Sequence, residues 1–301
     1  MLGTAVPTAG QPTAVEGATN VGCGARRIGE ITVATLNNTP FVTLLANQVP
    51  VVLLLDTGAQ RTILTPSVAQ RIGAQPPRVE FDRQMRGFSG TMPTREVELR
   101  SFTIGGVAIP WRRITVAAAV LPSVFFGPLD GVLGADVLGA FDVDVDLAQH
   151  RMILHEPQSC PTAAPDWTDR YVGISTGLSA ARHLFFRAQL DGRSIFAIVD
   201  TGAQMTTLSA KAARALGVSE ATLVQEKAIT IRGAAGELLS GHVHRFSGLD
   251  VGGVALHNPE IVVADFTLRE ADLVLGIDFV LSRRIWFSYR SRQIFLSRTG
   301  R

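Results

Sequence analysis

Cysteine is nearly absent from this chain: among 301 residues only Cys23 and Cys160 carry a thiol. Two are too few for a disulfide-built scaffold or a zinc ribbon, and neither has a second Cys or a His at ligand spacing. A surplus of charge is missing as well. Lys and Arg number 28 against 26 Asp and Glu, a formal net charge of +2, and no Lys/Arg run of five or more occurs, so nothing supports electrostatic binding of nucleic acid. Long apolar runs are also lacking. Val51–Leu55 and the patch Ile114–Leu121 fall well short of the roughly 20 residues that a membrane-spanning helix needs. No integral membrane segment is therefore expected, and the hydrophobic 46% of the chain belongs in a folded core. The first residues show neither the basic nor the apolar region of a secretory signal. Thirteen of the first 20 are Gly, Ala, Thr or Pro, which suits a flexible lead-in.

What the chain does contain is itself, twice. Val51-Val52-Leu53-Leu54-Leu55-Asp56-Thr57-Gly58-Ala59-Gln60 returns 144 residues later as Ile195-Phe196-Ala197-Ile198-Val199-Asp200-Thr201-Gly202-Ala203-Gln204. Val132-Leu133-Gly134-Ala135-Asp136 returns as Val274-Leu275-Gly276-Ile277-Asp278, Arg86–Gly90 as Arg232–Gly236, and Gly105-Gly106-Val107-Ala108 as Gly252-Gly253-Val254-Ala255. Four landmarks in one order at nearly one offset mean two copies of one structural unit. The division that follows is a tail over 1–26, a first unit over 27–156, a linker over 157–169 holding Pro157, Cys160, Pro161 and Pro165, and a second unit over 170–301.

The local signals favour strands. Val51–Leu55 and Ile195–Val199 are short, apolar and partly β-branched, as buried strands are. Phe102–Ile109 and Leu249–Leu256 predict hairpins turning at Gly-Gly. Asp142–Leu154 and Ile285–Leu296 predict another hairpin at the end of each unit. Helices are few: Pro66–Gly73 and Ala210–Gly217 each stop at Gly, and one further turn follows each Leu-Gly-x-Asp. The expected fold is mostly β, in two similar lobes.

Each repeat delivers an Asp at the end of a buried strand, with Thr and Gly behind it. Gly permits a tight turn and close backbone approach. The Thr hydroxyl can bond the backbone of a facing copy and lock two loops together. Pseudo-twofold symmetry would then bring Asp56 and Asp200 into contact, where two carboxyl groups share one proton and titrate as a pair. Such a pair can activate a water lying between them and protonate a substrate carbonyl, which is hydrolysis without a metal, cofactor or covalent intermediate.

Asp-Thr-Gly-Ala after an apolar strand, followed far downstream by two apolar residues and Gly, resembles the active-site signature of the retropepsin and pepsin group of aspartic proteases. One Asp-Thr-Gly arises by chance roughly once in twenty chains of this length; two, each with its matching glycine element, are far more specific. The likeness covers nearly all of both repeats and is to retropepsin units of the bacterial type, fused in tandem. It implies an all-β fold of two pseudo-twofold-related β-barrel lobes with an inter-lobe cleft. It also implies an aspartic endopeptidase acting on an extended polypeptide, with Asp56 and Asp200 catalytic. Thr57, Gly58, Ala59, Thr201, Gly202 and Ala203 would support the active-site loops. Gly87, Phe88, Ser89 and Gly90, with Gly233, Ala234, Ala235 and Gly236, would form flaps over the substrate, Phe88 making the principal contact. Position four is Ala59 and Ala203, as in retroviral enzymes, where pepsins carry a hydroxyl. Without that hydroxyl the dyad should be less acidic, giving a mildly acidic to near-neutral optimum. No flap Tyr is present, unlike in pepsins.

Other readings of the same residues stand beside these. An intact dyad on a catalytically silent peptide-binding or inhibitory module is the alternative from another class. Asp136 and Asp278 are expected to hold a loop or cap a turn rather than catalyse. His242 and His244 share a strand face without a third ligand, so a solvated face is expected and no metal. Cys23 and Cys160 flank the first repeat, and a disulfide between them would imply an oxidising compartment, hence a periplasmic or secreted location. One chain supplies both halves of the site, so a monomer is expected.

Overall fold

In a computed structural model of the chain, the described residues are 25–77, 83–86, 91–118, 121, 123–124, 127–157, 164–168, 170–233 and 237–298. Each repeat builds one β lobe. In the first, the strand Val49–Leu55 lies antiparallel to Thr39–Ala46 and parallel to Gly131–Leu133, which pairs on its far side with Ile63–Leu64. The order continues through Arg113–Ala117 and Thr91–Glu98 to Arg83–Arg86. The second lobe repeats this arrangement with Arg193–Val199, Leu184–Leu190, Leu273–Leu275, Thr207–Ser209, Glu260–Ala264, Leu238–Arg245 and Ala228–Arg232.

The sequence explains these pairings locally. Thr39–Ala46 and Leu184–Leu190 alternate buried and exposed positions, so each has one face in the core and one towards solvent. Leu53–Leu55 and Ala197–Val199 are buried on both faces, as central strands with a parallel neighbour must be. Two-residue turns close the hairpins at Asn37-Asn38, Asn47-Gln48, Gly105-Gly106, Asp191-Gly192 and Gly252-Gly253. All ten residues have positive φ, the backbone twist that matches paired strands. The helices Pro66–Arg71 and Ala210–Ala215 end before Gly73 and Gly217, at φ of +63° and +95°. Ser209 caps the second by accepting from Ala212 N at 3.1 Å.

The terminal hairpins of the two lobes do not stay local. Asp142–Asp146 pairs antiparallel with Arg284–Ser288, with Asp144 opposite Trp286. This joins Tyr171–Ser175, Gln293–Ser297, Arg284–Ser288, Asp142–Asp146, Arg151–His155 and the first half of Arg27–Leu36 into one six-stranded antiparallel sheet spanning both lobes. Its centre buries charge. Asp144, 1% exposed, accepts from Arg284 Nε at 2.9 Å, Arg284 Nη2 at 2.5 Å and Trp167 Nε1 at 3.1 Å. The Arg284 guanidinium also lies 4.7 Å over the Trp167 ring, so residues 164–168 are clasped onto the shared sheet. Buried Asp142 accepts from Ser288 Oγ at 2.7 Å. Among the described residues no helix is long and apolar enough to cross a membrane.

Candidate active site

The strands Val49–Leu55 and Arg193–Val199 end at the lobe interface, each running straight into Asp-Thr-Gly. Asp56 N donates to Leu133 O at 3.1 Å and Asp200 N to Leu275 O at 2.9 Å, so each Asp is held by the neighbouring apolar-apolar-Gly strand. That strand then passes beneath the Asp loop. A Cβ on Gly134 would stand 2.6 Å from Arg61 O, and one on Gly276 2.7 Å from Met205 O, which leaves room only for glycine. Asp136 and Asp278 fasten the same crossing. Asp136 Oδ1 accepts from Thr62 N and Thr62 Oγ1, both at 2.7 Å, while that hydroxyl accepts from Gly134 N at 3.0 Å. Asp278, Thr206 and Gly276 repeat the arrangement. Both aspartates hold loops, as expected.

Four hydrogen bonds tie one Asp-Thr-Gly loop to the other. Thr57 Oγ1 donates to Val199 O at 2.8 Å and accepts from Thr201 N at 3.1 Å. Thr201 Oγ1 donates to Leu55 O at 2.7 Å and accepts from Thr57 N at 3.0 Å. Both threonines are buried, at 5% and 1% exposure. The glycines make the approach possible. A Cβ on Gly58 would lie 2.3 Å from the Asp200 carboxyl carbon, and one on Gly202 2.4 Å from that of Asp56. Each carboxyl group is thus covered by the glycine of the opposite lobe.

The carboxyl groups face each other. Burial is the main cause that pushes Asp56 well above the ordinary value of 3.8, followed by the charge of Asp200 and a hydrogen bond between the two side chains. Gly58 N and Ala59 N, donating to Asp56 Oδ1 at 2.9 and 2.7 Å, oppose this without overcoming it. Asp200 Oδ1 accepts from Gly202 N at 2.8 Å. Such a pair retains a proton far into the pH range where a lone carboxyl group would have lost it. It can then both give and take one.

Two features at the site carry no sequence signal. His183, 9% exposed, places Nδ1 2.5 Å from Glu270 Oε1 and Nε2 2.7 Å from Gly58 O, across the lobe interface. Tyr289 is buried, and burial chiefly, then the Asp56 charge, pushes its phenol up. Repeat symmetry hides His183 and Glu270, because by strand register Thr39 and Pro128 occupy their respective places in the first lobe.

Of the expected flap residues, Gly87, Phe88, Ser89, Gly90, Ala234, Ala235 and Gly236 lie outside the described residues, as do Cys23 and Cys160. The hairpin stems are present: Arg86 pairs with Thr91, and Arg232 with Leu238. Gly233 N donates to Glu237 O at 2.9 Å. His244 Nδ1 lies 2.7 Å from Glu226 Oε1, and no group of three potential metal ligands occurs among the described residues.

Two β lobes joined by a shared sheet, with paired Asp-Thr-Gly loops at the junction, define the two-lobed aspartic-proteinase class. The model of a family described as aspartyl protease matches residues 42–137 and 186–279, once per lobe, and the chain belongs to that family. Among solved structures, the aspartic proteinase from Irpex lacteus aligns over 90% of this chain and 97% of its own, at 14% identity and TM-score 0.54, which shows the fold alone. Basic 7S globulin from soybean aligns over 91% of this chain and 95% of its own, at 10% identity and TM-score 0.49. No curated protein sequence matches the chain.

Proposed function

We propose that the protein is an aspartic endopeptidase whose catalytic pair is Asp56 and Asp200. The observation that carries this reading is the reciprocal threonine lock, which ties the two Asp-Thr-Gly loops together where burial and the charge of Asp200 raise Asp56 well above its ordinary range. Water held between the carboxyl groups would attack the scissile carbonyl carbon. One carboxyl group takes a proton from the water as the other gives its proton to the carbonyl oxygen, forming a gem-diol. Collapse of the diol returns a proton to the pair and delivers one to the leaving nitrogen, so the dyad ends the cycle as it began. The substrate is an extended polypeptide entering as an added strand beneath the flap hairpins. Both carboxyl groups come from one chain, which supports action as a monomer. A periplasmic or secreted location belongs to the same proposal and rests on pairing of Cys23 with Cys160.

The test is incubation with a diverse peptide library from acidic to mildly alkaline pH, with mass spectrometry of the new termini. Cuts within peptides, most abundant at mildly acidic to near-neutral pH, are expected. Folded protein that binds library peptides and cuts none would replace this reading with a silent binding module.

A further inference from the structure

The pseudo-twofold symmetry of the site is broken at His183. His183 bridges the carboxylate of Glu270, in its own lobe, and the carbonyl oxygen of Gly58, in the other. Gly58 C=O and Ala59 N–H belong to one trans peptide unit, so they point in opposite directions. Ala59 N–H donates to Asp56 Oδ1 at 2.7 Å. A continuous line of hydrogen bonds therefore runs from Glu270 through the imidazole and the Gly58–Ala59 peptide to the Asp56 carboxyl group. The second loop differs. Ala203 N turns to the main-chain oxygen of Asp200 at 3.3 Å, while Gly202 N donates to the Asp200 carboxyl group. Thr39, in the place matching His183, donates its hydroxyl to Asn37 O at 3.5 Å, within its own turn.

We propose that His183 and Glu270 are positioning residues for Asp56. The imidazolium grips the Gly58 carbonyl, polarises the Gly58–Ala59 peptide and strengthens the Ala59 N–H bond to the Asp56 carboxylate. This inference deepens the peptidase reading and rests on it for its catalytic consequence. Charge decides which state of the ring is present. Burial alone would depress the imidazole, but the hydrogen bond and charge of Glu270, the Gly58 carbonyl and the charge of Asp200 outweigh it and hold the ring above its ordinary 6.5. Glu270 is depressed in turn, first by its hydrogen bond to His183 and also by that to Ser179. Ser179 Oγ additionally accepts from His183 N at 3.1 Å, which fixes the backbone that carries the ring. Across the interface, the Asp56 loop presents the Gly58 carbonyl. Arg182, next to His183 in the chain, acts on Tyr289. With both ring nitrogens protonated, both bonds are donated; the neutral ring can donate only one. Hydrogen bonds in series polarise one another, so a proton on His183 reaches Asp56 without contact.

The role is separable from simple packing. In isotope-labelled protein without substrate, NMR through a pH titration follows the His183 ring nitrogens and the Ala59 amide. The ring's midpoint is expected above its ordinary 6.5, and the Ala59 amide is expected to shift with that midpoint. That step should vanish in His183→Gln, which keeps a side-chain donor without the charge. A ring midpoint at or below 6.5, or an Ala59 amide that stays flat while the ring titrates, overturns the proposal. With a cleaved peptide, His183→Gln and Glu270→Gln should each move the acid limb of kcat/KM to higher pH and lower kcat by about tenfold, with a smaller change in KM. Lower amplitude on unmoved limbs would mean a merely structural role and also overturns it. If the wild type cuts no peptide, the peptidase reading fails, while the NMR titration still decides the link from His183 to Asp56.

Discussion

Thr57→Val keeps the shape of the side chain and deletes its hydroxyl. That removes two of the four bonds between the loops, the one to Val199 O at 2.8 Å and the one from Thr201 N at 3.1 Å. Both main-chain groups are then stranded in a dry interface. At about 1–3 kcal/mol for each buried group left unmade, allowing for partial relaxation, the loss is about 2–5 kcal/mol. Thr201→Val deletes the other two bonds and should cost a similar amount. Thr57→Ser retains the hydroxyl and serves as the control. Denaturant unfolding followed by fluorescence gives the difference from the midpoint, provided the slope is unchanged. Activity on a cleaved peptide should fall with the same rank order, because the loops also position the carboxyl groups. If both Val variants lose less than about 0.5 kcal/mol, below the range expected for even one stranded group, the loops are held by something else and the account of the lock is wrong.

Three further outcomes follow from the geometry. Gly202→Ala would set a methyl group 2.4 Å from the Asp56 carboxyl carbon, so it should abolish turnover and destabilise by about 1–3 kcal/mol, read by peptide assay and melting. Asp56 has a folded value above its unfolded 3.8, so its contribution is fully present below 3.8 and is lost as pH rises through the folded value. Asp56→Asn should therefore be more stable than wild type at neutral pH and lose that advantage in acid; a constant difference across pH would refute the assignment. Arg284→Met leaves Asp144 buried without its cation and should cost about 3–5 kcal/mol; a loss confined to the surface-pair range, under about 1 kcal/mol, would mean that the pair contributes little to joining the lobes.

The internal repeat made most of the site legible. Each Asp-Thr-Gly had a second copy to check it against, and the glycine elements and Gly-Gly turns sat at matching offsets, so strand, loop and crossing could be read together. What the chain hid is what the two copies do not share or what they make jointly. His183 and Glu270 have Thr39 and Pro128 in the matching places, so repetition pointed away from them. The terminal hairpins showed as local pairs, and nothing in Asp142-Val143-Asp144-Val145-Asp146 says that all five residues are buried. Alternating Asp ordinarily marks a solvated face. Here the partners of Asp142 and Asp144 are Ser288, Arg284 and Trp167, which lie far along the chain. A buried charge becomes readable only once its distant counter-charge is in place.

If Asp56 and Asp200 act as one catalytic unit, turnover of one well-cut peptide by wild type beside Asp56→Asn and Asp200→Asn will show it. Both variants should melt cooperatively and bind the peptide, and each should lose at least about a thousandfold in kcat, since members of a unit are not partly dispensable. A folded variant of either kind that stays within about tenfold of wild type would contradict the shared-proton dyad, and with it the assignment of the peptidase site.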